Sequence, residues 1–361
     1  MTTRYSHIST VGLHRPIYVR IPTTVARYQS YWNVLTHNGI PCRWLDVSRP
    51  GFWDELKECD CFVYPWAHKS NEAQLALSLI PVVERQLGIS CYPNVATCWT
   101  YDDKIRQAYL MEAAGYPMAR SWVFWTRESA LEWLRGAVFP LVMKLRGGAG
   151  SLNVVLLRTV AEARHAVEQM FSGQGVTSGK LLSRKARVSR GAPLLYLRKE
   201  IGRIRRRLFA KSELVWSLPH RNYVYFQQFL AGNEFDTRVT VIGNRAFAFR
   251  RFNRPGDFRA SGSGRLDPDP SGIDLDMVRI AHDISRSMGF QSMAYDFIRD
   301  AEGLPQFVEI SYTYMAYAVH ACPGYWDAEL NWHEGHFWPQ YCQMADLLEM
   351  PDLKQPDMSG D

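Results

Sequence analysis

Four groups of residues in this chain have the types and spacing of working chemistry. The first is the run PLVMKLRGGAGS, residues 140–151, in which a short apolar stretch delivers Lys144 and passes at once into Gly147, Gly148, Ala149, Gly150 and Ser151. Small residues let backbone N–H groups approach phosphate oxygens closely, and a lysine beside them adds a point charge. The same run also fits a tight turn beside a solvated lysine. The second group is a pair of lone acids, Asp296 in AYDFI and Glu309 in FVEIS, each inside an otherwise apolar strand-like run. A buried carboxylate needs a cation. Here it is either an arginine or a hard metal such as Mg²⁺, which takes a few carboxylates together with nucleotide phosphates. The third group is the series Arg238 (FDTRVTV), Arg250 and Arg251 (FAFRRF) and Arg259 (GDFRASGSG). Guanidinium forks match phosphate and carboxylate groups bidentately, although arginines in such runs also serve as plain surface charges. The fourth is His333 and His336 in NWHEGHFW. Two histidines with no evident third ligand, among Trp332, Phe337 and Trp338, read better as an aromatic docking surface or pocket wall than as a metal site.

The elements that must position these residues follow from hydrophobic patterning. The first hundred residues alternate short β-rich runs (16–21, 42–46, 61–66, 89–92) with helical patterns (25–37, 52–58, 72–87), the sign of a parallel sheet with crossover helices. The run IPTTVARY after the first expected strand has no GxGxxG, which argues against a nicotinamide dehydrogenase. A helix over 101–114 ends at Gly115 with Pro117 beyond it, and a second α/β unit occupies about 121–171. From residue 223 the chain turns β-rich, then carries a helix at 277–288, strands at AYDFIR and PQFVEIS, and a final helix at 341–350.

At 361 residues the chain has room for about two to three domains. Its 47% hydrophobic and 22% charged residues suit a folded globular protein, and its longest apolar run, 73–83, is too short to span a bilayer. The N-terminus lacks the pattern of a signal peptide, and seven cysteines with no CxxC spacing suit reduced thiols, so a cytoplasmic protein is expected.

In their order along the chain, these features resemble the ATP-grasp superfamily, and within it the carboxylate–amine ligase branch of glutathione-synthetase-like and ribosomal-protein-glutamylase-like enzymes. The resemblance covers roughly residues 93–311. It implies an α/β chain in which an N-terminal, open, parallel-sheet pre-ATP-grasp domain (1–95) precedes a two-lobed α+β ATP-grasp fold. The small lobe would occupy 96–225, with a lid loop at 147–151 and a basic insert at 180–213, and the large lobe 226–361, with an aromatic C-terminal extension. The resemblance further implies that Lys104 of YDDK and Lys144 face phosphates and that the lid loop closes over them. Gln227, Gln228, Phe229 and Leu230 match the hinge that binds adenine, and Glu234 the acid that takes the ribose hydroxyls. Arg238 and Arg259 match the arginines that face the reacting phosphoryl group. Asp296, Glu309 and Ser311 match the acids and last ligand for two Mg²⁺ ions, which Mn²⁺ could replace. Where relatives often carry asparagine, this chain has Ser311 and Ser261. Arg250, Arg251 and Ser261 are candidate acceptor or anion contacts, and the run SYTYMAYAV after Glu309 is a candidate acceptor wall. The implied activity is an ATP-dependent ligase forming an amide through an acylphosphate, with a small-molecule or glycan carboxylate and an amine as partners. The contrasting reading is an ATP-grasp body without turnover that docks on a membrane or polyanion.

The net charge of +6 is uneven. Residues 180–211 hold twelve basic residues against Glu200 alone, a local +11 that leaves −5 for the rest of the chain. Leu194, Leu197, Ile201, Ile204 and Leu208 space as one helical stripe within it, which predicts an amphipathic basic helix. Such a helix packs on the protein body, lies on the anionic inner face of a membrane, or holds a polyanionic substrate. Nucleic acid is disfavoured, because the segment has little aromatic interleaving. A loose similarity to proteins of surface-polysaccharide pathways points to a sugar acid as the carboxylate.

Overall fold

A computed structural model describes residues 10–14, 22–66, 70–148, 153–177 and 219–358. The strand expected at 16–21, the lid residues Ala149, Gly150 and Ser151, and the basic helix lie outside the described residues.

The chain divides into two compact units. One draws on residues 1–67, 74–119 and 230–361, the other on 68–73 and 120–229. The first unit holds a parallel sheet of β1 (Val11–His14), β2 (Cys42–Leu45), β3 (Cys61–Val63) and β4 (Ser90–Tyr92), in the order β2-β1-β3-β4. Helices α1 (Pro22–His37) and α2 (Phe52–Lys57) fall between its strands, as do the residues of α3 (Ser70–Arg85). Its first strand is VGLH, ahead of the expected PIYVRI. Val11 and Leu13 are fully buried there, and Gly12 has no room for a side chain against Leu45 and Cys59. After α4 (Val95–Cys98) comes α5 (Lys104–Ala113), started by the Asp103 side chain, which accepts from the Arg106 N–H at 3.1 Å.

The second unit carries an antiparallel sheet of β5 (Ser121–Phe124), β6 (Leu141–Lys144), β7 (Val154–Leu157) and β8 (Val224–Gln228), ordered β5-β8-β6-β7, with α6 (Arg127–Trp133) and α7 (Val160–Met170). Returning to the first unit, β9 (Phe235–Ile242), β10 (Arg245–Phe252), β11 (Leu266–Asp267), β12 (Ser292–Arg299), β13 (Pro305–Ser311), β14 (Gly324–Trp326) and β15 (Trp332–Glu334) form one large sheet along the path β13-β12-β9-β10-β14-β15, with β11 on β10. Helix α8 (Leu275–Met288), α9 (Ala316–His320) and α10 (Pro339–Leu347) complete the unit. Alternation along β9 and β12 buries Val239, Val241, Tyr295 and Phe297 on one face and leaves Arg238 and Asp296 on the other. The last helix packs back on the start of the chain: Met344, Ala345, Leu347 and Leu348 share a core with Val11, Leu13, Val34 and Leu35. All seven cysteines are free thiols. Among the described residues no helix is long and apolar enough to cross a membrane.

Candidate active site

Strand register assembles a row of charge across the large sheet. Asp296 of β12 stands opposite Arg238 of β9 on one side and Glu309 of β13 on the other, while Arg251 of β10 stands opposite Asp236 of β9. An extra residue in β13, Val308, interrupts its pairing with β12 at this point, a bulge of the kind that re-aims a side chain.

The pairs are close and largely dry. Arg238 donates to both Asp296 oxygens, from Nε at 2.7 Å and from Nη2 at 2.8 Å. Arg251 donates to both oxygens of Asp236, at 2.6 and 2.7 Å, and its Nη2 also lies 2.7 Å from Asp296 Oδ2. Burial works against a charged Asp296, but the two guanidiniums outweigh it and hold its carboxyl well below the usual carboxylate range. Burial raises Asp236, only partly offset by Arg251. Asp236, Arg238, Arg251 and Asp296 thus form one fixed lattice.

Glu309 meets Lys104, whose Nζ lies 3.1 Å from Oε1. Lys104 opens α5 and is nearly fully buried; burial disfavours its charge, but Glu309, with Asp102 and Asp103, more than restores it, so the amine stays protonated. One turn further on, the Gln107 side chain donates to the Ile310 carbonyl at 2.8 Å and accepts from the Ile310 N–H at 3.3 Å. Gln107 thereby covers the open edge of β13 and ties Lys104 to the residue beside Glu309.

Other expected residues fall as follows. Arg259 donates to both oxygens of Asp257, from Nε at 2.9 and 3.0 Å, and this pairing holds the Asp257 carboxyl below its usual range. Arg250 leaves the charged row, engages Asp267 at 2.6 Å and lies over Phe235. Of the two arginines expected as acceptor or anion contacts, Arg250 thus pairs with Asp267, and Arg251 is buried between two carboxylates. Ser261 is held through its carbonyl by Arg254 at 2.6 Å, and the Ser311 hydroxyl donates to the Thr313 carbonyl at 2.8 Å. Glu234 borders a cavity of about 500 Å³ that is also lined by Phe235, Thr237, Met277 and Phe297.

In the second unit, Lys144 is buried at the end of β6, between Val154 and Tyr225. The glycines that follow begin a turn: Asn153 donates to the Gly147 carbonyl at 2.8 Å, and Gly148 has φ +122° with Asn153 against its Cα. The Gln227 side chain turns inward and donates to Ser121 Oγ and Tyr225 Oη, each at 3.1 Å, whereas Gln228 is exposed. Phe229 ends this unit and Leu230 begins the next segment of the first.

Past Glu309, the aromatic run splits its duties. Tyr312 donates to the Trp66 carbonyl at 3.0 Å and packs on Tyr101. Tyr314 joins a polar relay in which Tyr31 donates to Gln343 Oε1 at 2.6 Å and Gln343 donates to Tyr314 at 2.9 Å, with Ser292 a further 2.5 Å from Tyr314. Tyr31, Tyr314, Gln340 and Gln343 line a cavity of about 30 Å³, enough for a water. Met315 and Tyr317 are exposed. His333 bonds Asp327 at 2.8 Å and stacks on Tyr325, while His336 bonds the His320 carbonyl at 2.8 Å, so the two rings serve separate neighbours.

The donors expected for Mg²⁺ are hard oxygens in direct cross-strand register, which suits the ion. Among the described residues, however, no group of three His, Cys, Asp or Glu is placed to hold one. The sequence did not single out Gln107, which acts through a pairing that only the fold reveals; a glutamine one turn after Lys104 on a buried helix face was the available signal.

No protein-family model matches the chain, and no curated protein does. Solved structures do. A RimK-domain ATP-grasp protein from Sphaerobacter thermophilus is 14% identical, with a TM-score of 0.52 over 94% of this chain and 100% of its own. A D-alanine–D-alanine ligase from Bacillus anthracis is 10% identical, with a TM-score of 0.52 over 94% of this chain and 96% of its own. An N5-carboxyaminoimidazole ribonucleotide synthetase solved with ADP is 12% identical, with a TM-score of 0.57 over 95% of this chain and 77% of its own. The chain has the ATP-grasp fold. Its parallel N-terminal sheet and antiparallel sheets are the mixed architecture that the sequence resemblance implied.

Proposed function

We propose that this protein is an ATP- and Mg²⁺-dependent ligase that joins a carboxylate to an amine and releases ADP and phosphate. The observation that carries the reading is the row Glu309–Asp296–Arg238, with Lys104 on Glu309, in a fold shared with a D-alanine–D-alanine ligase and with a synthetase solved with ADP.

A substrate carboxylate oxygen attacks the γ-phosphorus, the bond to the ADP oxygen breaks, and an acylphosphate results. The amine nitrogen then attacks the acyl carbon, phosphate leaves with the C–O bonding pair, and the nitrogen gives up a proton to water. Such transfers depend on positioning and charge stabilisation. Arg238, fixed by its two bonds to Asp296, presents an oriented guanidinium to the transferring group. Lys104 and Lys144 bind phosphate oxygens as point charges. Arg259 reaches the transferring group only by leaving Asp257. Gly147 and Gly148 offer backbone N–H groups at the start of the lid, and the hinge from Gln227 to Leu230 takes the base through main-chain groups, since the Gln227 side chain is turned inward. Glu234 takes the ribose. Asp296 and Glu309, with Ser311 beside them, would hold Mg²⁺, which supplies Lewis-acid neutralisation of the phosphate oxygens. The basic segment 180–213 supports an acidic sugar or glycan precursor as the acid, and contact with an anionic membrane face, by its charge alone.

Acceptor-dependent ADP release tests the reading. Glu309→Gln and Lys144→Met each lower turnover by at least about 100-fold; wild-type rates in either variant defeat the mechanism.

A further inference from the structure

Three carboxylates and three cations of the chain share one face of the large sheet, and each carboxylate already has a partner. Lys104 lies 3.1 Å from Glu309, Arg238 takes both oxygens of Asp296, and Arg251 bridges Asp296 to Asp236. A divalent ion on the same oxygens would sit a few ångströms from these fixed positive charges, where repulsion is strong. The protein also supplies too few oxygens, since among the described residues no trio of His, Cys, Asp or Glu is arranged for a metal. Mg²⁺ prefers six oxygens at near-octahedral positions.

We propose that Lys104 is the resident cation of Glu309, which keeps divalent metal off this face until a polyphosphate supplies the missing oxygens and draws the lysine away. The proposal rests on the ATP-site reading above. Glu309, and not Asp296, is the contested ligand: its side chain is 33% exposed, whereas that of Asp296 is 9% exposed and held by two guanidiniums. The Lys104 side chain is only 4% exposed, so it does not leave Glu309 by swinging into solvent; it needs an anion nearby. Gln107 keeps the pair in register by holding both backbone groups of Ile310. One lysine therefore has two duties in succession, as counterion to the metal ligand and then as phosphate ligand. Metal and nucleotide consequently bind with strong positive coupling, which is reciprocal.

Mn²⁺ titration of the full chain, followed by the electron paramagnetic resonance signal of the free ion, tests this without any turnover. Without nucleotide, the wild type leaves Mn²⁺ free, Lys104→Met binds it at least about tenfold more tightly, and Lys104→Arg, which keeps the cation, behaves as wild type. The double variant Lys104→Met/Glu309→Gln loses the site gained. Thermal unfolding shows whether Lys104→Met folds, and Lys104→Gln gives the same direction if it does not. Wild-type uptake of Mn²⁺ alone as tight as that of Lys104→Met or Lys104→Gln overturns the proposal and leaves the ligase reading intact. With a non-hydrolysable ATP analogue present the wild type takes up Mn²⁺; failure in that arm overturns the ATP-site reading itself.

Discussion

Arg251→Met probes the buried charge lattice directly. The Arg251 side chain is 4% exposed and makes three contacts of 2.6–2.7 Å, two to Asp236 and one to Asp296. Methionine fills much of the same volume but leaves Asp236 buried without its bidentate partner, while Asp296 keeps Arg238. Breaking a buried pair in this way costs about 3–5 kcal/mol. At about 2–4 °C per kcal/mol for a unit of this size, the unfolding temperature falls by roughly 6–20 °C. Burial already raises Asp236, and removing Arg251 raises it further. An acid raised above its unfolded value binds more protons folded than unfolded, so the loss shrinks as pH falls. Differential scanning fluorimetry at about pH 7.5 and about pH 5 reads both effects, the deficit being larger at the higher pH. Adding Asp236→Asn to Arg251→Met removes the stranded charge and restores part of the loss. A drop of under about 1 kcal/mol at pH 7.5, with no pH dependence, would refute the reasoning, because it is the value of an exposed pair.

Three further outcomes follow from the geometry. Gln107→Ala strands the edge N–H and carbonyl of Ile310 and costs about 1–3 kcal/mol in chemical denaturation, whereas Gln107→Glu keeps an acceptor and loses less. Burial lowers His282 below its ordinary 6.5, so the unfolded chain binds more protons between the two values and stability falls as pH drops through 6.5; His282→Gln flattens that slope in urea titrations. Gly148→Ala places a side chain against Asn153 at φ +122° and costs about 1–3 kcal/mol, read as a lower melting temperature.

Much of the architecture was legible in the sequence because hydrophobic period and stop signals are local. The alternation in FDTRVTVIG and RAFAFRRF, the helix before Gly289 and the strand PQFVEIS were readable without the fold. Val11–His14 was not, because Gly12 reads as a breaker until the close packing of Leu45 explains it. The β14–β15 hairpin was hidden in an aromatic stretch whose pairing, Tyr325 opposite His333, lacks an Asn-Gly or Asp-Gly turn. For the site, the sequence singled out the charged residues but left open whether Asp296 meets arginine or metal. Cross-strand register sets Arg238 opposite Asp296. Register depends on pairings 58 residues apart in the chain, and on a bulge at Val308, neither of which composition or spacing encodes.

The most direct test of the ligase account is hydroxylamine trapping. Incubated with ATP, Mg²⁺, hydroxylamine and a panel of carboxylic acids, the wild type forms a hydroxamate and ADP in equal amounts with its acid, and Glu309→Gln forms neither. ADP released with a stable phosphorylated product and no hydroxamate would make the protein a kinase. ATP bound without ADP release across acids and amines would make it a binding protein, and either result contradicts the account.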